Sequence, residues 1–400
     1  MDIQKYILVY ADEIHKLNFF NRFFPAISEL GYEIIVLTNR VSFLLSGYTG
    51  DVKVHIVRKR QDVSLNNDIL LTRELLDHTL TRQEAMELFS AVYVGAEEIS
   101  KVHKVEYVFI WGGENTPDQA MKQFAHEHNI KTLFFELANI PGKIFIDPVG
   151  TNTKSSIYKN ISLLNNYQTD NEKYVEWKKI YLKLKENEFT PPQSSKTKKI
   201  YSRYIIDHLG FNLLNIPFEN NNSFYKKVKL KLWQKAPNIK YDQYKLENGN
   251  YLFFPMQVSN DSQLLFNSTK NNVQAIEYAF IVSKREGLEL LVKPHPAEID
   301  PEEYKNIFIL KRKMGFKIIN YPSISVLKYC EKVIAINSTV GLEAILMGKP
   351  VEFLGNTIYK NLDNEQLQNY IMSFLINIDF YGTENISKIK IKEVLNRLSS

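Results

Sequence analysis

The order of apolar and polar positions in the first 150 residues alternates between the periods of strands and helices. Short apolar runs predict β-strands, and apolar residues spaced three or four apart predict helices. Repeated strand–helix units favour a parallel, doubly wound sheet. The predicted strands are residues 5–10, 33–38, 51–57, 107–111 and 131–136, and the predicted helices are residues 19–30, a pair within 70–103, and 117–128.

The same alternation resumes at residue 251, after a middle segment that breaks it. Residues 151–245 are rich in Lys, Asn and Tyr, and the run Pro191-Pro192-Gln-Ser-Ser is typical of a loop. Helices are predicted there at residues 171–188 and 197–214. Beyond it, the predicted strands are residues 251–255, 289–293, 317–319, 332–336 and 350–353, and the predicted helices include 364–375 and 386–398.

This pattern predicts an α/β chain with two Rossmann-like, doubly wound parallel-sheet lobes and a helical insertion between them. That is the plan of a GT-B glycosyltransferase, although a fold analogy alone does not establish a function. The expected divisions are an N-terminal lobe for the acceptor (1–155), a Lys-rich insertion or linker (156–245), a C-terminal lobe for a nucleotide-sugar donor (246–375) and a C-terminal helix (376–400).

Composition narrows the class of protein without naming it. The 400 residues are 44% hydrophobic and 24% charged, which suits a soluble globular chain of two domains. A single cysteine, Cys330, excludes an internal disulfide framework. The first ten residues do not form a signal peptide, and no apolar run approaches the roughly 20 residues that span a bilayer. We therefore expect a cytoplasmic protein.

The net charge of +5 is too mild to indicate nucleic-acid binding, but its distribution is uneven. Residues 225–235 contain five Lys and no acid, interleaved with Val228, Leu230, Leu232 and Trp233. Such a stretch could lie on an anionic membrane or bind a polyanion, and it could equally be a solvated helical surface. A peripheral place at the inner membrane is therefore one alternative for this chain.

Two segments near the C-terminus end apolar runs in polar residues, where buried parallel strands would stop. One ends in Lys293-Pro294-His295, and the other in Asn337-Ser338-Thr339 before a predicted helix. Ser338 or Thr339 can cap this helix, whose N-terminus would bind an anion. Lys293 and His295 on the neighbouring strand end would add positive charge. The alternative for His295 is a turn residue between two prolines.

Glu343 lies one helical turn after Thr339 and shares its helix face. It could accept hydrogen bonds from a ribose diol, as acidic residues do in dinucleotide-binding folds. The alternative is a solvated helix residue.

A second polar run follows predicted strand 251–255 and contains Gln257, Asp261, Ser262 and Gln263. Asp261 could simply be the N-cap of the next helix. A carboxylate aimed into the cleft between lobes could instead stabilise an oxocarbenium-like centre, or attack it as a nucleophile.

The third cluster follows a buried strand of the first lobe. Glu136, Asn139, Asp147 and Asn152 surround an irregular loop fixed by Pro141 and Gly142, and such polar groups suit sugar recognition. The alternative is a turn network in which Asp147 and Asn152 cap nearby backbone. Two further candidates on the acceptor side, Glu114 and Asn115, come shortly after the predicted strand 107–111.

Other familiar site types lack their sequence signals. There is no cysteine cluster, His-x-x-x-His pair or Asp-x-Asp run, so no metal site is predicted. The patterns GxxxxGK[ST] and GxSxG are also absent, which excludes a P-loop and a nucleophile elbow.

Taken in order, these clusters resemble the bacterial capsule polysaccharide biosynthesis family, which includes the retaining β-Kdo transferases. The resemblance covers residues 107–153 and 250–355. It rests on Phe135-Glu136-x-x-Asn139-x-Pro141-Gly142 with Asp147-Pro-x-Gly150-x-Asn152, on Gln257-Val-x-x-Asp261-Ser262-Gln263, on Lys293-Pro-His295-Pro, and on Asn337-Ser338-Thr339 through Glu343.

The resemblance implies a GT-B enzyme that moves β-Kdo from CMP-β-Kdo to a capsule or lipopolysaccharide glycan. Asp261 would be the nucleophile of a double displacement with net retention, and Glu136 would serve the acceptor or act as acid/base. His295 would have a catalytic role and would share the donor phosphate with Lys293. No metal or cofactor would be required. The donor would contact Gln257, Ser262, Gln263, Lys293, His295, Asn337, Ser338, Thr339 and Glu343, and the acceptor Glu114, Asn115, Asn139, Asp147 and Asn152.

Other functions stay open at this point. The enzyme could use CMP-sialic acid or a UDP-sugar, or the chain could be a non-catalytic glycan-binding subunit that docks to a capsule assembly complex. A UDP-sugar 2-epimerase shares the two-lobed plan, but the sequence shows no matching set of catalytic carboxylates. The expected partners are a nucleotide-sugar and a glycan or glycolipid, with no nucleic acid.

Overall fold

The computed structural model describes residues 4–45, 50–60, 71–186, 200–217, 239–298 and 300–399. The chain forms two compact units: unit 1 draws on residues 1–167, 191–225 and 370–400, and unit 2 on residues 168–190 and 226–369. The loop predicted at Pro191-Pro192 and the basic stretch 225–235 lie outside the described residues. None of the described helices has the length and apolar composition needed to cross a bilayer.

Apart from β6, the described strands fall close to the predicted positions. They are β1 Lys5–Tyr10, β2 Tyr32–Thr38, β3 Lys53–Ile56, β4 Lys104–Trp111, β5 Lys131–Leu137, β6 Ile144–Asp147, β7 Tyr251–Pro255, β8 Glu289–Lys293, β9 Lys317–Ile318, β10 Lys332–Ala335 and β11 Val351–Phe353.

The helices alternate with these strands in most of the chain. They are α1 Ile14–Asn21, α2 Phe24–Ser28, α3 Arg73–Leu76, α4 Arg82–Val102, α5 Thr116–Glu127, α6 Ser156–Lys159, α7 Asn171–Glu186, α8 Ile200–Leu214, α9 Ser262–Asn267, α10 Asn272–Glu286, α11 Pro301–Met314, α12 Ser323–Tyr329, α13 Thr339–Leu346, α14 Asn364–Asn369 and α15 Lys388–Asn396.

Unit 1 contains a six-stranded sheet in the order β3-β2-β1-β4-β5-β6. The strands are parallel except β6, which pairs antiparallel with β5. Apolar side chains cover both faces of the sheet: Ile7 and Val9 pack with α1 on one face, and Leu8 packs with α4 and α5 on the other. The C-terminal segment completes the first face with Ile376, Ile378, Phe380, Ile386, Ile391 and Val394.

Unit 2 contains a five-stranded parallel sheet in the order β11-β10-β7-β8-β9. Leu252, Phe254 and Val292 from its central strands are fully buried in a core with Ile276 of α10. In both units the chain runs outward from the first strand to one edge and then crosses to the other side. This is the order that defines a Rossmann-like sheet. The predicted GT-B-like α/β fold class is therefore confirmed.

Several elements differ from the predicted ones for local reasons. The predicted helix 19–30 is two helices, because Pro25 starts α2 at a favoured first-turn position. Strand β6 falls where an irregular loop was expected, since Ile144, Phe145 and Ile146 form a short run that is buried throughout. The predicted helix 364–375 is α14 followed by a π-helical turn at Tyr370–Phe374.

The middle segment, expected as one insertion, is shared between the units. Helix α7 belongs to unit 2 and α8 to unit 1, while residues 370–400 return to unit 1. Apolar burial explains α8, whose Phe211 is buried, and whose Gly210 lies against Val41.

Candidate functional site

The site in unit 2 lies at the point where the order of strands in its sheet switches from one side of β7 to the other. After β7 the chain continues to β8 and β9 on one side, and β10 and β11 follow on the other. In open α/β sheets, ligands bind at the carboxyl ends of the strands that flank such a switch point. Here those strands are β7 and β10, and the first residues after them carry most of the predicted donor side chains.

Gln257 and Asn337 join these two strand ends through reciprocal hydrogen bonds. Gln257 Nε2 donates to Asn337 Oδ1 at 2.7 Å, and the Asn337 backbone N–H donates to Gln257 Oε1 at 3.0 Å. Asn337 Nδ2 also donates to the carbonyl of Gln263 at 2.8 Å. Both side chains are buried. Both residues were predicted to bind the sugar donor. Their amide groups instead bind each other, so they hold the ends of β7 and β10 together.

Asp261 is the N-cap of α9. Its Oδ1 accepts a hydrogen bond from the Gln263 backbone N–H at 2.8 Å. The carboxylate is half-buried, and Ser262 beside it is the first residue of the helix. The Gln263 side chain accepts from Asn267 Nδ2 at 2.9 Å. Asp261 therefore does cap α9, as the structural alternative proposed, but it does so through Oδ1. Oδ2 takes no part in the cap.

The end of β8 holds Lys293 and His295. Lys293 Nζ donates to Ser323 Oγ at 3.1 Å, at the start of α12. His295 is exposed, yet partial burial of its ring lowers its pKa, and the positive charge of Lys293 lowers it further. The carboxylates of Asp261 and Glu298 oppose this shift. Its Nδ1 accepts from the Ala297 backbone N–H at 3.1 Å, so the neutral ring carries its proton on Nε2. Near physiological pH His295 is therefore a neutral hydrogen-bond donor, and it does not add the positive charge that the sequence led us to expect.

The sheet order corrects one expectation about this pair. Lys293 and His295 were placed on the strand next to Asn337, but β7 lies between β8 and β10. Two strand spacings amount to about 9.5 Å. The sequence could not show this, because strand order depends on tertiary pairing.

Helix α13 begins directly behind Asn337. Ser338 occupies its N-cap position, but its side chain makes no capping hydrogen bond. Ser338 Oγ is buried and has no hydrogen-bond partner among the described residues. Gly341 allows the helix to approach β11, since a Cβ there would lie 2.3 Å from Phe353 Cε1. The helix therefore begins with an uncommitted Ser338 hydroxyl next to Thr339.

Glu343 is buried, and it is not a solvated helix residue. Its Oε1 accepts from Tyr181 Oη at 3.3 Å and pairs with Lys185 Nζ at 2.9 Å. Both partners come from α7, which also belongs to unit 2. Sequence reasoning did not find them, because they lie about 160 residues away from Glu343 in a segment without a matching motif.

Another residue that sequence reasoning missed ties the loops of the site together. Glu298 is buried, and its Oε2 accepts from the Ser259 backbone N–H at 2.7 Å while its Oε1 accepts from Asp300 N–H at 2.8 Å. It thereby holds the loop after β8 against the loop after β7. No local pattern distinguishes Glu298 from an exposed acid.

The switch point of unit 1 lies between β1 and β4. Glu114 is buried there, 4.0 Å from Lys154 Nζ. Asn115 caps α5 in a capping box with Asp118, whose Oδ2 also accepts from Gly113 N–H at 3.2 Å. Gly113 has a positive φ of 99°, which suits this tight turn. Asn115 is thus committed to the helix start.

A buried charged cluster, which the sequence did not predict, stands at the same edge. Lys16 Nζ pairs with Asp12 Oδ1 at 2.7 Å, and both groups act electrostatically on Asp118. Burial raises the pKa of Asp118 to about 6, although Lys16 opposes the shift. Lys16 alone in a sequence gives no signal of burial, because lysines are seldom inside proteins.

Glu136 and the other acceptor candidates lie in β5, in β6 and in the loops that follow these two strands. Glu136 Oε2 accepts from Asn152 Nδ2 at 2.6 Å, and Asn152 has a positive φ of 49°. Asp147 is fully buried and accepts from the backbone N–H groups of Val149, Gly150 and Ser156. Asp147 therefore organises the turn, as the structural alternative expected. Asn139 is exposed.

No group of three His, Cys, Asp or Glu side chains with metal-binding geometry occurs within the part of the chain that the structure describes. The expectation that the reaction needs no metal stays a prediction.

The sequence of this chain matches the model of a known protein family. A model of the capsule polysaccharide biosynthesis protein family matches residues 106–363. The capsule polysaccharide export protein KpsS of Escherichia coli is 29% identical over 119 residues, which are 27% of this chain and 31% of KpsS. The chain therefore spans about a third of that curated relative.

Two solved structures from Thermosulfurimonas dismutans are also similar. The β-Kdo 2,7 transferase of KpsC aligns with a TM-score of 0.46 and 15% identity, over 98% of this chain and 99% of that chain. The β-Kdo 2,4 transferase of KpsC aligns with a TM-score of 0.40 and 15% identity, over 80% and 96%.

Proposed function

Because the chain belongs to the capsule polysaccharide biosynthesis family, we propose that it is a glycosyltransferase that moves β-Kdo from CMP-β-Kdo to a glycan acceptor with net retention. The acceptor belongs to a capsule or lipopolysaccharide glycan, and a glycolipid acceptor would bring the enzyme to the inner-membrane surface. The donor binds at the switch point of unit 2.

One observation carries the donor site. Ser338 Oγ is buried without a partner at the N-terminus of α13. An unmet buried hydroxyl has a cost in free energy, and a phosphate oxygen at the helix N-terminus would remove it. His295 Nε2–H and Lys293 supply further donors at the end of β8. We propose that these groups converge on the single phosphate of a CMP donor from strand ends that lie two strand spacings apart, without a metal.

The geometry of Asp261 suggests which oxygen attacks. Gln263 N–H holds Oδ1, so Oδ2 is the oxygen that we assign to the bond with the anomeric carbon. In the first step this bond forms as the bond from the anomeric carbon to the phosphate oxygen breaks, and CMP leaves with its electron pair. The charge on the leaving phosphate increases, the helix N-terminus and Lys293 offset it, and the neutral His295 stabilises it by a hydrogen bond from Nε2–H.

In the second step an acceptor hydroxyl displaces Asp261 from the anomeric carbon. The new glycosidic bond forms, the carboxylate is released, and a general base takes the hydroxyl proton. We assign Glu136 to the acceptor or to this acid/base role. Two inversions give net retention. In the free protein Glu136 accepts from Asn152, which fixes the direction of the carboxylate.

The first experiment compares CMP, UDP and GDP as stabilisers in thermal unfolding, without added metal. We expect CMP to stabilise the protein selectively, and Lys293→Ala and His295→Ala to weaken this effect. Stabilisation by UDP over CMP would favour a UDP-sugar donor. No response to any nucleotide would contradict the transferase proposal and favour a non-catalytic glycan-binding subunit.

The nucleophile is tested separately with CMP-β-Kdo. Intact-protein mass after incubation should show an adduct of one Kdo residue, and Asp261→Asn should abolish both the adduct and turnover. Near-normal turnover by Asp261→Asn would reject the assignment. The melting temperature of Asp261→Asn controls for the fold of the α9 N-terminus, because the amide oxygen of Asn can still accept from Gln263 N–H.

A further inference from the structure

Helix α7 brings two side chains into contact with Glu343, the acidic residue of α13. Tyr181 Oη donates to Glu343 Oε1 at 3.3 Å, and Lys185 Nζ lies 2.9 Å from the same oxygen. Glu343 is 3% exposed and Tyr181 5% exposed. A buried carboxylate requires such partners, because removing an ion from water without them costs several kcal/mol.

Both contacts fall on the same oxygen. Glu343 Oε2 makes no hydrogen bond or ion pair with the described residues. Glu343 also lies one turn after Thr339, on the helix whose N-terminus would hold the phosphate. In a ribonucleotide the ribose adjoins the phosphate, so an acceptor oxygen one turn further along the helix can reach the sugar hydroxyls.

We propose that Tyr181 and Lys185 are positioning residues that hold Glu343 by Oε1 and so present Oε2 to the ribose diol of the nucleotide. Helix α7 then determines whether the site prefers a ribonucleotide to a deoxyribonucleotide. This inference rests on the proposed function for the presence of a nucleotide, and it adds residues from a segment that carries no family motif.

The helix is well suited to hold these two groups in place. Tyr174, Trp177 and Tyr181 form a stacked series, with ring centroids 6.0 Å and 5.1 Å apart. Tyr174 and Tyr181 are buried, and the spacing of three and four residues puts all three rings on one face of α7. Burial and the adjacent Glu343 charge raise the pKa of Tyr181, so its hydroxyl remains a donor at every physiological pH.

The test compares the affinities of the full-length protein for CMP and 2′-deoxy-CMP by calorimetry. For the parent protein we expect CMP to bind at least ~10-fold more tightly, because a hydrogen bond to a charged group is lost with the 2′-hydroxyl. In Lys185→Met and Tyr181→Phe this ratio should fall by about 3-fold or more, and in Glu343→Gln it should approach 1. Lys179→Met, an exposed lysine on the same helix, is the matched control and should keep the parent ratio.

The ratio separates positioning from a merely structural role, since a loss of stability would weaken both ligands equally. An unchanged ratio in both α7 variants, with the preference lost in Glu343→Gln, would overturn the inference and leave the proposed function intact. A parent protein that binds CMP and 2′-deoxy-CMP equally would also overturn it. Failure of the parent to bind CMP at all would overturn the proposed function as well, so the two failures are distinguishable.

Discussion

A single serine hydroxyl shows how a binding group differs from a structural group at the scale of one residue. Ser338 stands where an N-cap side chain normally accepts a hydrogen bond from the helix, yet it makes none. Most N-cap serines stabilise their helix by about 1 kcal/mol. Ser338 contributes no such capping bond, so its hydroxyl is available to a ligand.

We therefore expect Ser338→Ala to weaken CMP binding by about 10-fold, the effect of losing one charge-assisted hydrogen bond. Its melting temperature should stay the same or rise slightly, because no hydrogen bond within the protein is removed. Calorimetric titration and thermal unfolding measure the two effects. Ser268→Ala is the control, since Ser268 Oγ donates to the Lys270 carbonyl and its loss should affect stability alone. A Ser338→Ala protein that is less stable but binds CMP normally would contradict this role.

Glu74 is a second residue whose surroundings make a measurable prediction. Its Oε2 accepts from the Thr116 backbone N–H at 2.9 Å, at the start of α5. Burial nevertheless raises the pKa of Glu74 from 4.5 to about 7. The folded protein therefore binds this proton more tightly than the unfolded chain does. This contribution to stability is present at acidic pH and is lost as the pH rises from about 4.5 to about 7.

Glu74→Gln keeps an acceptor for Thr116 and removes the charge. We expect the variant to gain stability relative to the parent between pH 5 and pH 8, by on the order of 1–3 kcal/mol. Urea unfolding at the two pH values measures the difference. Glu365→Gln, at an exposed position, should show no such change. Equal effects of Glu74→Gln at both pH values would show that the carboxyl titrates normally.

At the scale of single elements, the close contact between α13 and β11 depends on the lack of a side chain at Gly341. A Cβ at this position would lie 2.3 Å from Phe353 Cε1 and 2.7 Å from Phe353 Cζ. The ring of Phe353 is nearly buried, so it has little room to move. The position of the helix N-terminus thus depends on packing several residues further along.

Gly341→Ala should lower the free energy of unfolding by roughly 1–3 kcal/mol, the usual cost of overpacking. This should occur although alanine favours helices by about 1 kcal/mol over glycine. Phe353→Leu combined with Gly341→Ala should recover part of the loss, as measured by urea unfolding. A more stable Gly341→Ala protein would mean that the helix propensity outweighs the contact.

Elements were predictable from the sequence where period and burial agreed, and less so where they depended on distant partners. Strands such as β1 and β7 were placed closely, because buried parallel strands are continuous apolar runs. Strand β6 was missed, since its four residues follow a Pro-Gly turn that is typical of a loop. The order of β8, β7 and β10 was also unavailable, because no sequence pattern reports which strands pair.

The candidate site divides in the same way. Lys293, His295, Ser338 and Asp261 could be chosen because they lie at the ends of predicted strands or in the polar runs that follow them. Whether a side chain is committed to the fold could not be read from the sequence. Only tertiary contacts reveal that Gln257 and Asn337 bind each other, and that Glu343 is held by α7.

At the scale of the whole molecule, two Rossmann-like units with separate cores share one chain. The residues that we propose to bind the sugar donor all lie in unit 2. We expect CMP to slow amide hydrogen exchange at residues 257–263, 293–298 and 337–346, because ligand binding suppresses local opening. Exchange in β1 and β4 of unit 1 should not change. Protection confined to β1 and β4 would place the nucleotide in unit 1 and contradict the donor assignment.

The return of residues 370–400 to unit 1 has a consequence for the order in which the protein is made. Ile376 pairs with Ile144, the first residue of β6, and Arg22 of unit 1 donates to the carbonyls of Asp379 and Glu384. A ribosome delivers these residues only after every residue of unit 2. The N-terminal unit is synthesised first but completes its core last. During translation, the part of its apolar face that residues 376–394 later cover stays exposed.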